Sequence, residues 1–149
     1  GLCTVDLLFA VPHVPKFDHS TRASQFLRQG GGPAATALVA FARLAPEARG
    51  AFIGKVGNDE DGDFIRYGLE QEGIDIGYFA VASGAQSRVA LVLVEESSGE
   101  RGFVTRSESC GELVPSDFRK EIVSSARIVH LDDAAVCRQL SGHTRQVAL

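Results

Sequence analysis

The chain has 149 residues, 44% of them hydrophobic, with a net charge of −4 and a pI near 5.5. That length and apolar content support one domain with a core of its own. The acidic balance argues against a nucleic-acid or anionic-membrane partner, which would call for a basic patch. No apolar run approaches the roughly 18 residues of a membrane span.

Taken in order, Leu2 to Val11 is apolar except for Thr4 and Asp6 and reads as a strand. An acid in so apolar a run is expensive to bury and needs partners. Asp6 is either a capped strand end or a carboxylate at the carboxyl edge of a sheet, where open α/β sheets bind ligands. Residues 12–20 (PHVPKFDHS) form a turn-rich excursion, with His13 and His19 read as surface residues. Arg22 to Gln29 returns as a strand with one wet face. Gly30, Gly31 and Gly32 then run into a helix from Pro33 to Leu44 built of small and aliphatic residues. Such a helix is expected to be buried on most sides. Its first N–H groups would favour a polar or anionic ligand.

Ala51 to Val56 reads as a buried strand, and Asn58 or Asp59 caps a helix from about Glu60 to Glu72 with an acidic first turn. Helix capping is the expected direct role of Asp59. Three strand-like runs follow, Tyr78–Ala82, Arg88–Glu95 and Gly102–Arg106, with a hairpin loop over residues 96–100. The middle run is apolar on both faces and reads as central. A helix is expected over Pro115–Ser125, led in by residues 109–114. A short parallel strand over Arg127–Leu131 with His130 in its core, and a helix from about Ala134 to Gln139, complete the pattern. The cysteines Cys3, Cys110 and Cys137 are widely spaced and odd in number. They form neither a metal pattern nor a disulfide framework, and read as reduced packing thiols of a cytoplasmic protein.

Two sharper readings compete for the glycines, beside the plain one of a turn before a core helix. Gly30, Gly32 and Ala35 satisfy the loose G-x-G-x-x-A pattern of a dinucleotide site. That pattern needs a buried parallel strand before it and an acid about 20 positions on. The preceding run alternates polar and apolar, and the later position holds Ala51-Phe52-Ile53-Gly54. A dinucleotide-binding oxidoreductase fragment is therefore the weaker alternative.

The second reading is a resemblance. The glycine run, the helix ending Ala42-Arg43-Leu44, and Ile53-Gly54-Lys55-Val56-Gly57-Asn58-Asp59-Glu60-Asp61-Gly62 together resemble the N-terminal half of a ribokinase-type (PfkB) sugar kinase. The likeness runs from Gly1 to about Asp133. It implies an α/β, ribokinase-like fold, with a mostly parallel sheet flanked by helices. A small antiparallel β-sheet lid would come from segments of about 7–29 and 78–108, and a homodimer would form through that lid. It also implies transfer of the ATP γ-phosphoryl group to a sugar hydroxyl, with Mg²⁺ neutralising charge. By position, Asp6, Gly31, Gly32 and Thr36 would contact the sugar, Thr36 standing where the family has Asn. A shift of one residue would put Ala35 there instead. Gly-Gly-Gly-Pro-Ala-Ala-Thr is also similar to a variant found among kinases resembling the sulfofructose kinases. An anionic sugar would give Arg88 or Arg106 a purpose; otherwise each reads as a solvated strand-end arginine.

The family's G-x-G-D segment, which carries the base, has no match here; neither Gly111-Glu112, Gly142-His143 nor Asp132-Asp133 resembles it. Both ends read as cut, and a family chain is about twice this length. The expectation is that residues 1–149 form the N-terminal part of one sugar-kinase domain. The base and the ATP-binding half would lie beyond residue 149, leaving this chain alone inactive. The alternative is a truncated member of the same fold that binds a sugar or a partner without catalysis.

Overall fold

The computed structural model describes residues 1–106 and 113–132. In chain order it contains β1 (Thr4–Val11), β2 (Gln25–Gly31), α1 (Pro33–Leu44), β3 (Gly54–Gly57), α2 (Glu60–Gln71), β4 (Phe79–Ala82), β5 (Val89–Glu95), β6 (Arg101–Arg106), a 3-10 turn (Pro115–Asp117) and α3 (Lys120–Ser125). The expected Ala134–Gln139 helix, Cys110, Cys137 and His143 lie outside the described residues, as does part of the 109–114 lead-in.

The strands divide between two sheets. The larger has four strands in the order β2-β1-β5-β6, and the smaller pairs β3 with β4. β1 runs antiparallel to β2 and parallel to β5, and β5 runs antiparallel to β6. β5 is thus an interior strand, as an apolar run on both faces requires. The hairpin loop lies where its residues place it, with Gly99 at φ 72° and the Glu95 N–H donating to the Glu100 carbonyl at 2.9 Å. β4 departs from expectation: it leaves the meander and pairs parallel with β3. Four residues, Phe-Ala-Val-Ala, carry no signal that selects a partner.

Side chains alternate across a strand, so register sorts the larger sheet into two faces. Val5, Leu7, Val89, Arg28 and Arg106 share one face, and Thr4, Asp6, Leu8, Leu27, Ala90 and Phe103 share the other. The first face meets the core, where Val5, Leu7 and Val89 pack with Ala34, Ala35, Phe52, Val56, Ile65 and Leu69. Val5 and Val56 are almost fully buried, a placement that contributes about 1.5–3 kcal/mol for such a side chain. Cys3 is buried in the same cluster, as a packing residue should be.

Three further expectations are corrected. Within α1 only Ala34 and Ala35 are buried, while Phe41 and Leu44 are 42% and 85% exposed. Among the described residues the helix is covered on one side only. Residues 127–131 form no strand, and His130 is exposed rather than in a core. No described strand lies beside that segment to complete its ladder, and Ile128 is 83% exposed. The 115–125 helix is broken into the 3-10 turn and the six-residue α3. Asp117 closes the turn by accepting the Val114 N–H at 2.9 Å, a local side-chain bond that competes with helix continuation.

Candidate functional site

Asp6 is the third residue of β1, half-buried on the face away from the core. Thr4, two residues earlier on the same face, donates its hydroxyl to Asp6 Oδ1 at 2.6 Å. Across the antiparallel pair Thr4 faces Gly31, and the Asp6 carboxylate lies over that glycine where a Cβ would stand. Gly31 is therefore glycine because the carboxylate occupies its side-chain space. Asp6 Oδ2 has no hydrogen-bond partner among the described residues.

Gly32 follows β2 and caps α1 with φ 96°, a region that L side chains rarely adopt. A Cβ there would also meet the Leu2 carbonyl oxygen at 2.5 Å and Cys3 Cα at 2.7 Å. The start of α1 is closed by the protein itself. Ala34 N–H donates to Asp132 Oδ2 at 3.0 Å, Ala35 N–H to the Leu2 carbonyl at 3.4 Å, and Thr36 N–H to the Gly32 carbonyl at 2.9 Å. Pro33 has no N–H to give. The expectation of an anionic ligand at these amides is thus corrected, because the Asp132 carboxylate fills that place and suits the helix dipole. Asp132 also accepts the Leu2 N–H at 3.0 Å and so ties the lead into β1 to α1. Nothing in the local sequence pairs Asp132 with a helix 98 residues away.

The remaining candidates do not converge equally. Thr36 lies in the first turn of α1 beside the glycines, with its side chain exposed. Arg88 immediately precedes β5, and its carbonyl accepts the Val5 N–H at 3.0 Å, beside the start of β1. Arg106 belongs to the opposite face from Asp6. Its guanidinium donates to the Ser87 carbonyl at 3.0 and 3.2 Å and to Asp61 Oδ2 at 3.1 Å. The structure therefore brings Asp6, Gly31 and Gly32 together and turns Arg106 away from them. The dinucleotide reading loses its context, since the strand before Gly30 is an antiparallel edge strand.

The Gly54-Lys55-Val56-Gly57-Asn58-Asp59-Glu60-Asp61-Gly62 segment is held by a polar knot around Ser87. Asp59 caps α2, its Oδ1 accepting Gly62 N–H at 2.8 Å. Ser87, fully buried, donates its hydroxyl to the same oxygen at 2.6 Å and its N–H to Oδ2 at 2.7 Å. Ser87 Oγ in turn accepts the buried Gly57 N–H at 2.9 Å. Ser87→Ala would strand that N–H without an acceptor, at a cost of about 1–3 kcal/mol. A clear fall in thermal midpoint is expected, and an unchanged midpoint would remove the knot from the stability account.

Burial of the Asp59 carboxyl penalises its charge. The Ser87 hydroxyl and N–H, the Gly62 N–H and the Arg106 charge more than offset this, holding its pKa below the usual 3.8. As pH falls, the unfolded chain takes up this proton first. The stabilisation is therefore whole above the ordinary value and is lost as pH drops through the lower folded one. In Asp59→Asn the acid limb of an unfolding-versus-pH curve should lose part of its slope.

Residues 1–148 match the sequence profile of the pfkB family carbohydrate kinases. Fructokinase-1 of Zea mays is 34% identical over 110 residues, covering 72% of this chain and 33% of its own length. The crystal structure of fructokinase with bound ATP from Xylella fastidiosa superposes with a TM-score of 0.74 at 25% identity, over 99% of this chain and 46% of that one. The ribokinase of Giardia lamblia superposes with a TM-score of 0.67 at 31% identity, over 78% and 37%. The chain spans less than half the length of each of these proteins, and its sheets and helices follow theirs, so the fold is ribokinase-like α/β. With the profile matched almost end to end, the chain belongs to the pfkB family of carbohydrate kinases.

Proposed function

We propose that this chain supplies the sugar-binding part of an ATP-dependent carbohydrate kinase that phosphorylates a sugar hydroxyl. The observation that carries the reading is Asp6, braced by Thr4 and laid over Gly31. An ionised carboxylate accepts only, and a vicinal diol offers two O–H donors in matching geometry. Gly31 and Gly32 would contact the sugar beside the Asp6 carboxylate, which lies over Gly31. Thr36 adds a hydroxyl at the same joint, where the family has Asn. Arg88, beside the start of β1, is the arginine kept for an anionic substituent. Phosphoryl transfer needs alignment of the hydroxyl with the γ-phosphate, and alignment is what this constellation contributes.

Among the described residues no three acidic, histidine or cysteine side chains gather to hold a metal ion. ATP belongs to the proposal by likeness to the ATP-bound fructokinase of Xylella fastidiosa, and Mg²⁺ by family likeness. The catalytic base and the nucleotide elements have no match within the 149 residues. The segments of about 7–29 and 78–108 would form the lid and the homodimer contact, a reading supported by Leu27 and Phe103, 51% and 57% exposed on the Asp6 face. No helix described is long and apolar enough to cross a membrane, and a cytoplasmic location belongs to the same proposal.

The test is a panel of ketoses, pentoses and acidic sugars, titrated calorimetrically into the protein and assayed for sugar-dependent release of ADP from ATP. In the full-length protein, one sugar is expected to bind and to drive ADP release. Binding without turnover would favour the non-catalytic sugar-binding alternative, and no binding by any sugar would overturn the proposal.

A further inference from the structure

Asp61 lies in the first turn of α2, under the core face of the four-stranded sheet. Its Oδ1 accepts Arg28 Nη2 at 2.7 Å and its Oδ2 accepts Arg106 Nη2 at 3.1 Å. Arg28 belongs to β2 and Arg106 to β6, the two edge strands of that sheet. One carboxylate thus gathers both edges from beneath the two central strands. Each arginine has a second anchor on the same side. The Arg28 guanidinium stands over the Phe64 ring at 4.3 Å, a cation–π distance. Arg106 donates to the Ser87 carbonyl, whose own N–H and hydroxyl are bonded to Asp59. Both contacts tie the sheet to the first two turns of α2.

We propose that Asp61 is a positioning residue for the sugar site, acting through Arg28. Arg28 is three residues before Gly31 on β2, and Gly31 is the floor on which the Asp6 carboxylate rests. β2 is an edge strand paired to β1 alone, so the latch adds a second tie to its C-terminal half. The latch holds Gly31 against Asp6 from the far face of the sheet, touching no substrate itself. The side chains of Arg28, Asp61 and Arg106 are 38%, 27% and 42% exposed. Such partly exposed pairs contribute little to global stability, so an effect on the site is separable from an effect on folding.

The inference rests on the sugar-kinase reading, and the experiment separates the two. Asp61→Ala, Asp61→Glu and Arg28→Met are made in the full-length protein and measured for sugar KM, kcat and thermal midpoint. Asp61→Ala should raise the sugar KM by about five- to tenfold, the size two exposed ion pairs allow. Its kcat should stay within about twofold and its thermal midpoint fall by no more than about 2–5 °C, because the pairs are partly exposed. Asp61→Glu should recover most of the loss, and adding Arg28→Met to Asp61→Ala should cost little more, since the two act as one. A lowered midpoint with an unchanged KM would make the latch merely structural and overturn the proposal. If the wild type phosphorylates no sugar, the kinase reading fails, and the latch is then judged by amide exchange. Faster exchange of residues 27–31 in Asp61→Ala would support it, and unchanged exchange would overturn it.

Discussion

Replacing Asp6 by asparagine is expected to weaken sugar binding by about 10- to 100-fold while leaving the fold intact. The substitution keeps the size of the side chain. It exchanges a charged double acceptor for a neutral group in which one oxygen has become an NH₂ donor. Hydrogen bonds to a charged partner contribute about 1.5–3 kcal/mol, which sets the range. The stability change should be small, because Asp6 is half-buried and its bond to Thr4 Oγ1 can pass to the amide oxygen. Calorimetric titration of the sugar, with a melting curve of the same sample, gives both quantities. Unaltered affinity would remove Asp6 from the site and with it the observation on which the function was argued.

The adjacent glycines should respond to alanine in opposite ways. At Gly31 the new methyl enters the space of the Asp6 carboxylate. That obstacle is the end of a flexible side chain, so Asp6 swings aside and the chain still folds. Gly31→Ala should therefore copy the affinity loss of Asp6→Asn with only a modest drop in melting temperature. At Gly32 the obstacles are the Leu2 carbonyl at 2.5 Å and Cys3 Cα at 2.7 Å, both backbone, and φ is 96°. Cys3 is 2% exposed and cannot retreat. The strained backbone alone costs about 1–3 kcal/mol, and the displaced core adds to it. Gly32→Ala should lower the melting temperature sharply. Equal melting curves for the two variants would contradict this account of the joint.

Much of the architecture was legible because its signals are local. Pro33 at the helix start, the acidic first turn of α2 with Asp59 before it, and the doubly apolar run of β5 each act within a few residues. The glycine pair and Asp6 were recognisable as a candidate site, and the structure brings their backbone and carboxylate together. Sequence reasoning erred where a residue's role depends on distant chain. The first amides of α1 looked open to a ligand, yet Asp132 fills that place from 98 residues away. Arg106 had two readings, a substrate arginine or a solvated strand-end one, and strand register puts it on the face opposite Asp6, where Asp61 and Ser87 hold it. Arg28 and Asp61 were passed over, since an arginine in an edge strand and an acid in a helical first turn each have an ordinary local reason to be there.

The family, the order of elements from β1 to β6, the cap at Asp59 and the glycines of the joint are written in the sequence. These follow from backbone freedom, periodicity and capping, which operate over one or two turns of chain. Only the tertiary structure decided which strands pair, which face each side chain leaves by, and which charges meet. Those depend on register, and a shift of one residue moves every side chain of a strand to the other face. The division between Asp6, turned to the outer face, and Arg106, turned to α2, is a consequence of that register alone.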